Sequence, residues 1–124
     1  MSIQNKIRVI NRLEQIVSEF KIKYPQNTPA HHELVKLSDE LNNLKGYLNK
    51  LDELKPNYTT NDVDQYMVAI NLNMDILKNE LEITDYVRLK KAVKVLKVIL
   101  KFHPTRYTFI EFAVIWLYEL IYFI

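Results

Sequence analysis

The residues best suited to hold a metal or move a proton are three histidines, His31, His32 and His103. A metal site on a helix needs ligands three or four positions apart, on one face, as in H-E-x-x-H or E-x-x-H. His31 and His32 are adjacent and Glu33 follows them, so around a helix they diverge by about 100° per step. His103 stands alone before Pro104 and reads as a loop residue. The adjacent carboxylates Asp39–Glu40 and Asp52–Glu53 fall on the outer side of a leucine-rich stretch, where they read as solvated surface and not as an acid–base pair. There is no cysteine, which excludes a thiol nucleophile, a thiolate zinc site and a disulfide framework. One glycine in the whole chain leaves no phosphate-cradling loop, and no G-x-S-x-G elbow occurs. The expectation is a protein with no catalytic residues, no metal and no cofactor, hence not an enzyme.

Two stretches carry surface chemistry instead. Lys90, Lys94, Lys97 and Lys101 recur at steps of four, three and four, with Arg88 and Lys91 beside them, against a single acid, Asp85. Such a row suits nucleic acid, an acidic protein or an anionic membrane surface. It also suits a solvated helix face neutralised by the acids of the preceding segment, Asp62, Asp64, Asp75, Glu80 and Glu82. Lysine in place of arginine, with no aromatics interleaved, weakens the nucleic-acid reading. The second stretch is 107–124, which holds half of the chain's aromatic residues. Wound as a helix, it is apolar nearly all round, with Phe109, Phe112, Trp116 and Phe123 on one stripe and Tyr118 and Tyr122 on a narrow polar strip. Two internal glutamates, Glu111 and Glu119, make it a poor membrane span, so the expected roles are a central core helix or a surface for self-association or a partner, with membrane association through 107–124 the less favoured alternative.

The elements that position these stretches are legible in the hydrophobic period. Leu34, Leu37, Leu41, Leu44, Leu48 and Leu51 are spaced three, four, three, four, three, the seam of a heptad pattern. The seam is only ~27 Å long, so the leucines are expected to face helices of their own chain and not a long partner rod. Gly46 falls on the outer side, where its helix penalty is about 1 kcal/mol and opens no hole in the seam. A first helix is predicted over 3–24, with Ile3, Ile7, Ile10, Leu13, Ile16, Val17, Phe20 and Tyr24 on its apolar face, ended by Pro25. Thr28 and Pro29 form the start signal of the leucine helix, and Pro56 closes that region. A third helix is predicted over 62–82, with Val63, Met67, Ile70, Met74, Leu77 and Leu81 inward and Tyr66, Ala69 and Ile76 widening the stripe. A fourth is predicted over 86–102, capped by Thr84 or Asp85, and a fifth runs to Ile124.

With 124 residues, 48% of them hydrophobic, and four prolines, the chain is read as one all-α domain, residues 1–124. The expected architecture is an antiparallel bundle of four to five helices whose C-terminal helix is highly apolar and aromatic. Residues 1–12 are polar and periodic and do not read as a secretory signal, which makes the cytoplasm the expected location. Abundant lysine, asparagine, isoleucine and tyrosine suggest a microbial or phage coding sequence. The expected function is a non-enzymatic helical interaction protein: an adaptor, an inhibitor or a small subunit of a complex. It would work through contacts with a protein partner or with its own copy as a homo-oligomer, using Phe109, Phe112, Trp116, Tyr118, Tyr122 and Phe123. The alternative is a binding module for nucleic acid or anionic membrane that uses the row Arg88, Lys90, Lys91, Lys94, Lys97 and Lys101.

Overall fold

The computed structural model describes residues 3–53 and 63–100, which form four helices and no strand. They are α1 Ile3–Lys23, α2 Pro29–Glu53, α3 Val63–Glu80 and α4 Ile83–Ile99. α1 ends one residue before Tyr24, whose N–H still bonds the Phe20 carbonyl at 2.9 Å before Pro25 breaks the helix. Thr28 opens α2 as the spacing predicts: its hydroxyl accepts the His31 N–H at 3.3 Å, and Pro29 occupies the first helical position.

The four helices form a ring. Each packs against its chain neighbour, and α4 closes the ring against α1, while the diagonal pairs do not meet. α3 and α4 make the smallest of the four contacts. Polar cross-links give the directions. Lys45 of α2 reaches Asn11 and Glu14 of α1 at 3.0 and 2.9 Å, while His31, at the other end of α2, meets the carbonyls of Lys21 and Tyr24. Along the other seam Lys23 pairs with Asp85 and Glu19 with Arg88. In both cases rising numbers on one helix meet falling numbers on the other, so α1 runs antiparallel to α2 and to α4.

The heptad leucines fill this ring. Leu34, Leu37, Leu41, Leu44, Leu48 and Leu51 are all buried, together with the predicted α1 face from Ile3 to Phe20, Tyr24 being half-buried, and with the residues that the same period turns inward on the fourth helix, Leu89, Ala92, Val93, Leu96, Ile99 and Leu100. Three buried positions were absent from those faces, Lys6, Val9 and Val95. On α3 the inward set Val63, Met67, Ile70, Met74, Leu77 and Leu81 is buried as expected, and Tyr66 and Ala69 are half-buried. Ile76 is a correction: it points outward, because at 100° per residue it falls on the side of α3 away from the core.

The start of α4 is a second correction. The helix begins at Ile83, three residues earlier than expected, with Glu82 as its first flanking residue and no side-chain cap from Thr84 or Asp85. The cap comes from the residue that follows α1. The Tyr24 hydroxyl accepts the Glu82 N–H at 2.8 Å, filling one of the vacancies that every helix N-terminus leaves. The predicted fifth helix lies outside the described residues.

Candidate functional site

Three surfaces hold chemistry, and the first explains why α4 sits where it does. Tyr24, at the end of α1, donates its phenolic proton to Asp85 at 2.7 Å while capping α4. Lys23 donates to the same carboxylate at 2.7 Å and to Glu82 at 3.0 Å. One turn on, Arg88 pairs with Glu19 at 2.8 Å and lies 5.8 Å from the Phe20 ring centroid, and Phe20 meets Tyr24 edge to face. Burial alone would raise the Asp85 pKa, but the bonds from Lys23 and Tyr24 outweigh it and hold the carboxyl below the usual range. Burial and the bond to Asp85 push the Tyr24 phenol up. The bonds to Asp85 and then Glu82 raise the Lys23 ammonium.

This cluster clamps α1 to α4 and is structural in character. Tyr24→Phe should cost about 1–2 kcal/mol, since it leaves the Glu82 N–H and one Asp85 lone pair without their partner. Urea denaturation of the two proteins at neutral pH checks it. The Asp85 share has a defined pH window. A carboxyl whose folded pKa is depressed stabilises above its unfolded value, about 3.9, and that contribution disappears as pH falls through the lower folded value.

The second surface is the lysine row. Arg88, Lys90, Lys91, Lys94 and Lys97 are all exposed on α4, and Lys101 lies outside the described residues. The expected neutralisation by α3 is not present among the described residues: the ion pairs of α4 run to α1, through Arg88–Glu19 and Lys23–Asp85. Lys91, Lys94 and Lys97 have no carboxylate partner among the described residues. Lys90 sits 6.0 Å from the Tyr86 ring centroid, so one aromatic does adjoin the row.

The third surface was not anticipated. Val68 and Leu72 are each 59% exposed and Ile76 is 48% exposed, one turn apart along the outer side of α3. On α4, Ile83 is 78% and Val87 41% exposed. The four-residue repeat of Val68, Leu72 and Ile76 was visible in the sequence, in antiphase to the core stripe.

His31 ties the α1–α2 hairpin together. The half-buried His31 ring places Nδ1 at 3.0 Å from both the Lys21 and Tyr24 carbonyls. Both partners can only accept, so Nδ1 carries the proton and ties down the C-terminal end of α1. His32 is exposed, and His103 lies outside the described residues. Among the described residues no group of three or more His, Asp or Glu is placed to hold a metal ion. No helix among them is long and apolar enough to cross a membrane. The aromatic candidates Phe109, Phe112, Trp116, Tyr118, Tyr122 and Phe123 lie outside the described residues.

Comparison with protein-family models, with curated proteins and with solved structures finds no match to this chain.

Proposed function

We propose that this chain is a non-enzymatic helical docking module that acts through protein–protein contacts, with its own copy among the candidate partners. The observation that carries the reading is the Val68–Leu72–Ile76 stripe on the solvent side of α3. Scattered apolar side chains are ordinary on a surface, but a row of three aligned along one helix face is the pattern of an interaction site. The aromatic stretch 107–124 adds tyrosine and tryptophan, the residue types most used as interface anchors.

The second reading is an anionic partner on α4. It is supported by the exposure of Lys91, Lys94 and Lys97 and by their lack of acidic partners among the described residues. Nucleic acid and anionic membrane both fit such a row, and both predict binding that weakens steeply with salt.

One set of variants separates the readings. Leu72→Asp/Ile76→Asp changes exposed residues only and should leave the helical spectrum and stability within about 0.5 kcal/mol of wild type. Sedimentation across concentration, alone and with co-purifying protein, is expected to show an assembly that this variant loses. An assembly that survives Leu72→Asp/Ile76→Asp but dissociates in Lys91→Glu/Lys94→Glu moves the site to α4. A monomer in both proteins, with no partner lost, contradicts the docking reading.

A further inference from the structure

The chain's one glycine has no structural task that the fold reveals. Gly46 lies mid-way along α2 with a helical backbone, on the outer side, and a Cβ built there would meet nothing within 4 Å. Alanine at this position would relieve the helix penalty stated above without a clash. The space beside it is a groove of about 360 Å³ lined by Asn42, Asn43, Gly46, Tyr47, Lys50 and Tyr66. It is a groove open to solvent and not an enclosed cavity. The two tyrosines, one from α2 and one from α3, stand with ring centroids 5.4 Å apart, tilted by 35°. Among the described residues of the lining, Lys50 is the charged one.

We propose that this groove binds a flat heteroaromatic ring carrying an anionic group, the chemistry of a nucleoside monophosphate. A side chain at position 46 would occupy the space that the ring needs, which is the reason for a glycine there. With no Cβ, the α2 backbone is open to close approach by a ring face. The carboxamides of Asn42 and Asn43 offer donors and acceptors to the ring edge. The tyrosine pair forms an aromatic wall against which a base stacks. Lys50 supplies the countercharge for the phosphate. This site is separate from the α3 stripe and the α4 lysines and does not rest on the docking proposal.

The test is an amide-resolved NMR titration of the full chain with AMP and UMP, and with adenosine and ribose 5-phosphate as the two halves of the ligand. Saturable shifts at residues 42–50 and at Tyr66 are expected with the monophosphates. Gly46→Leu should raise the urea midpoint and weaken that binding by more than about tenfold, because the added side chain fills the groove. Lys50→Ala should weaken AMP but leave adenosine unchanged. The proposal is overturned by absence of saturable shifts, by unchanged affinity in Gly46→Leu, or by ribose 5-phosphate binding as tightly as AMP.

Discussion

Leu41→Ala is expected to destabilise the protein by about 2–5 kcal/mol, the range for removing a buried leucine side chain from a core that relaxes only in part. Leu41 is fully buried at the middle of the leucine seam, with Leu37 and Leu44 fully buried on either side. α2 packs against both α1 and α3, so the cavity would open at the helix that joins both halves of the ring. A domain of this size has roughly 5–15 kcal/mol of stability in all, and this loss takes a large share of it. Chemical denaturation of Leu41→Ala beside an exposed control, Val35→Ala, reads the difference directly. A cost below about 1 kcal/mol would place Leu41 at a tolerant surface and contradict the packing described.

The stability should also rise with pH across the alkaline range, because of Lys6. This side chain is 1% exposed, and burial lowers its ammonium pKa to about 8 from an ordinary 10.5. Between those two values the unfolded chain holds a proton that the folded chain has released. Stability increases with pH wherever the unfolded state binds more protons, so the slope is positive from about pH 8 to 10.5. The full rise is on the order of 3 kcal/mol. Lys6→Met keeps the apolar stem and removes the titrating group, so it should lose the rise. Denaturation midpoints at pH 7, 8, 9 and 9.5 test this in a window below the unfolded tyrosine pKa. Equal midpoints for wild type across that window would show that the Lys6 ammonium reaches water.

Much of this architecture could be read from spacing alone. The leucine seam and the apolar faces of α1 and α4 repeat every three and four residues, and burial follows that period wherever a helix has one face toward the ring. Ile76 shows where the method slips. It lies within reach of the stripe in step length, but its phase puts it on the far side, in line with Val68 and Leu72. Lys6 and Val9 were missed because α1 faces both α2 and α4 and so buries a wider arc than one stripe.

Contacts between distant residues were the illegible part. Asp85 was expected to cap its own helix, but Lys23 and Tyr24, more than sixty positions away, take that carboxylate, and the Tyr24 hydroxyl does the capping. The lysine row was visible as a period on α4, and its exposure follows from that. That no α3 carboxylate pairs with it among the described residues was not visible, since a sequence shows the faces of two helices and not their mutual rotation. The groove at Gly46 was likewise hidden: its wall needs Tyr66 from α3 beside Tyr47 from α2.

The Tyr24–Asp85 clamp and the placing of the α4 lysine row depend on α4 returning to lie against α1. Zero-length carbodiimide coupling of the native protein, mapped by peptide mass spectrometry, reads that contact without any substitution. Two kinds of link are expected in the same sample: Lys45 joined to Glu14, which stand 2.9 Å apart between α2 and α1, and Lys23 joined to Asp85 or Glu82, at 2.7 and 3.0 Å between α1 and α4. A monomer that yields the Lys45–Glu14 link but none from Lys23 into 82–85 would show that the ring is open, and the arrangement of surfaces built on it would fall.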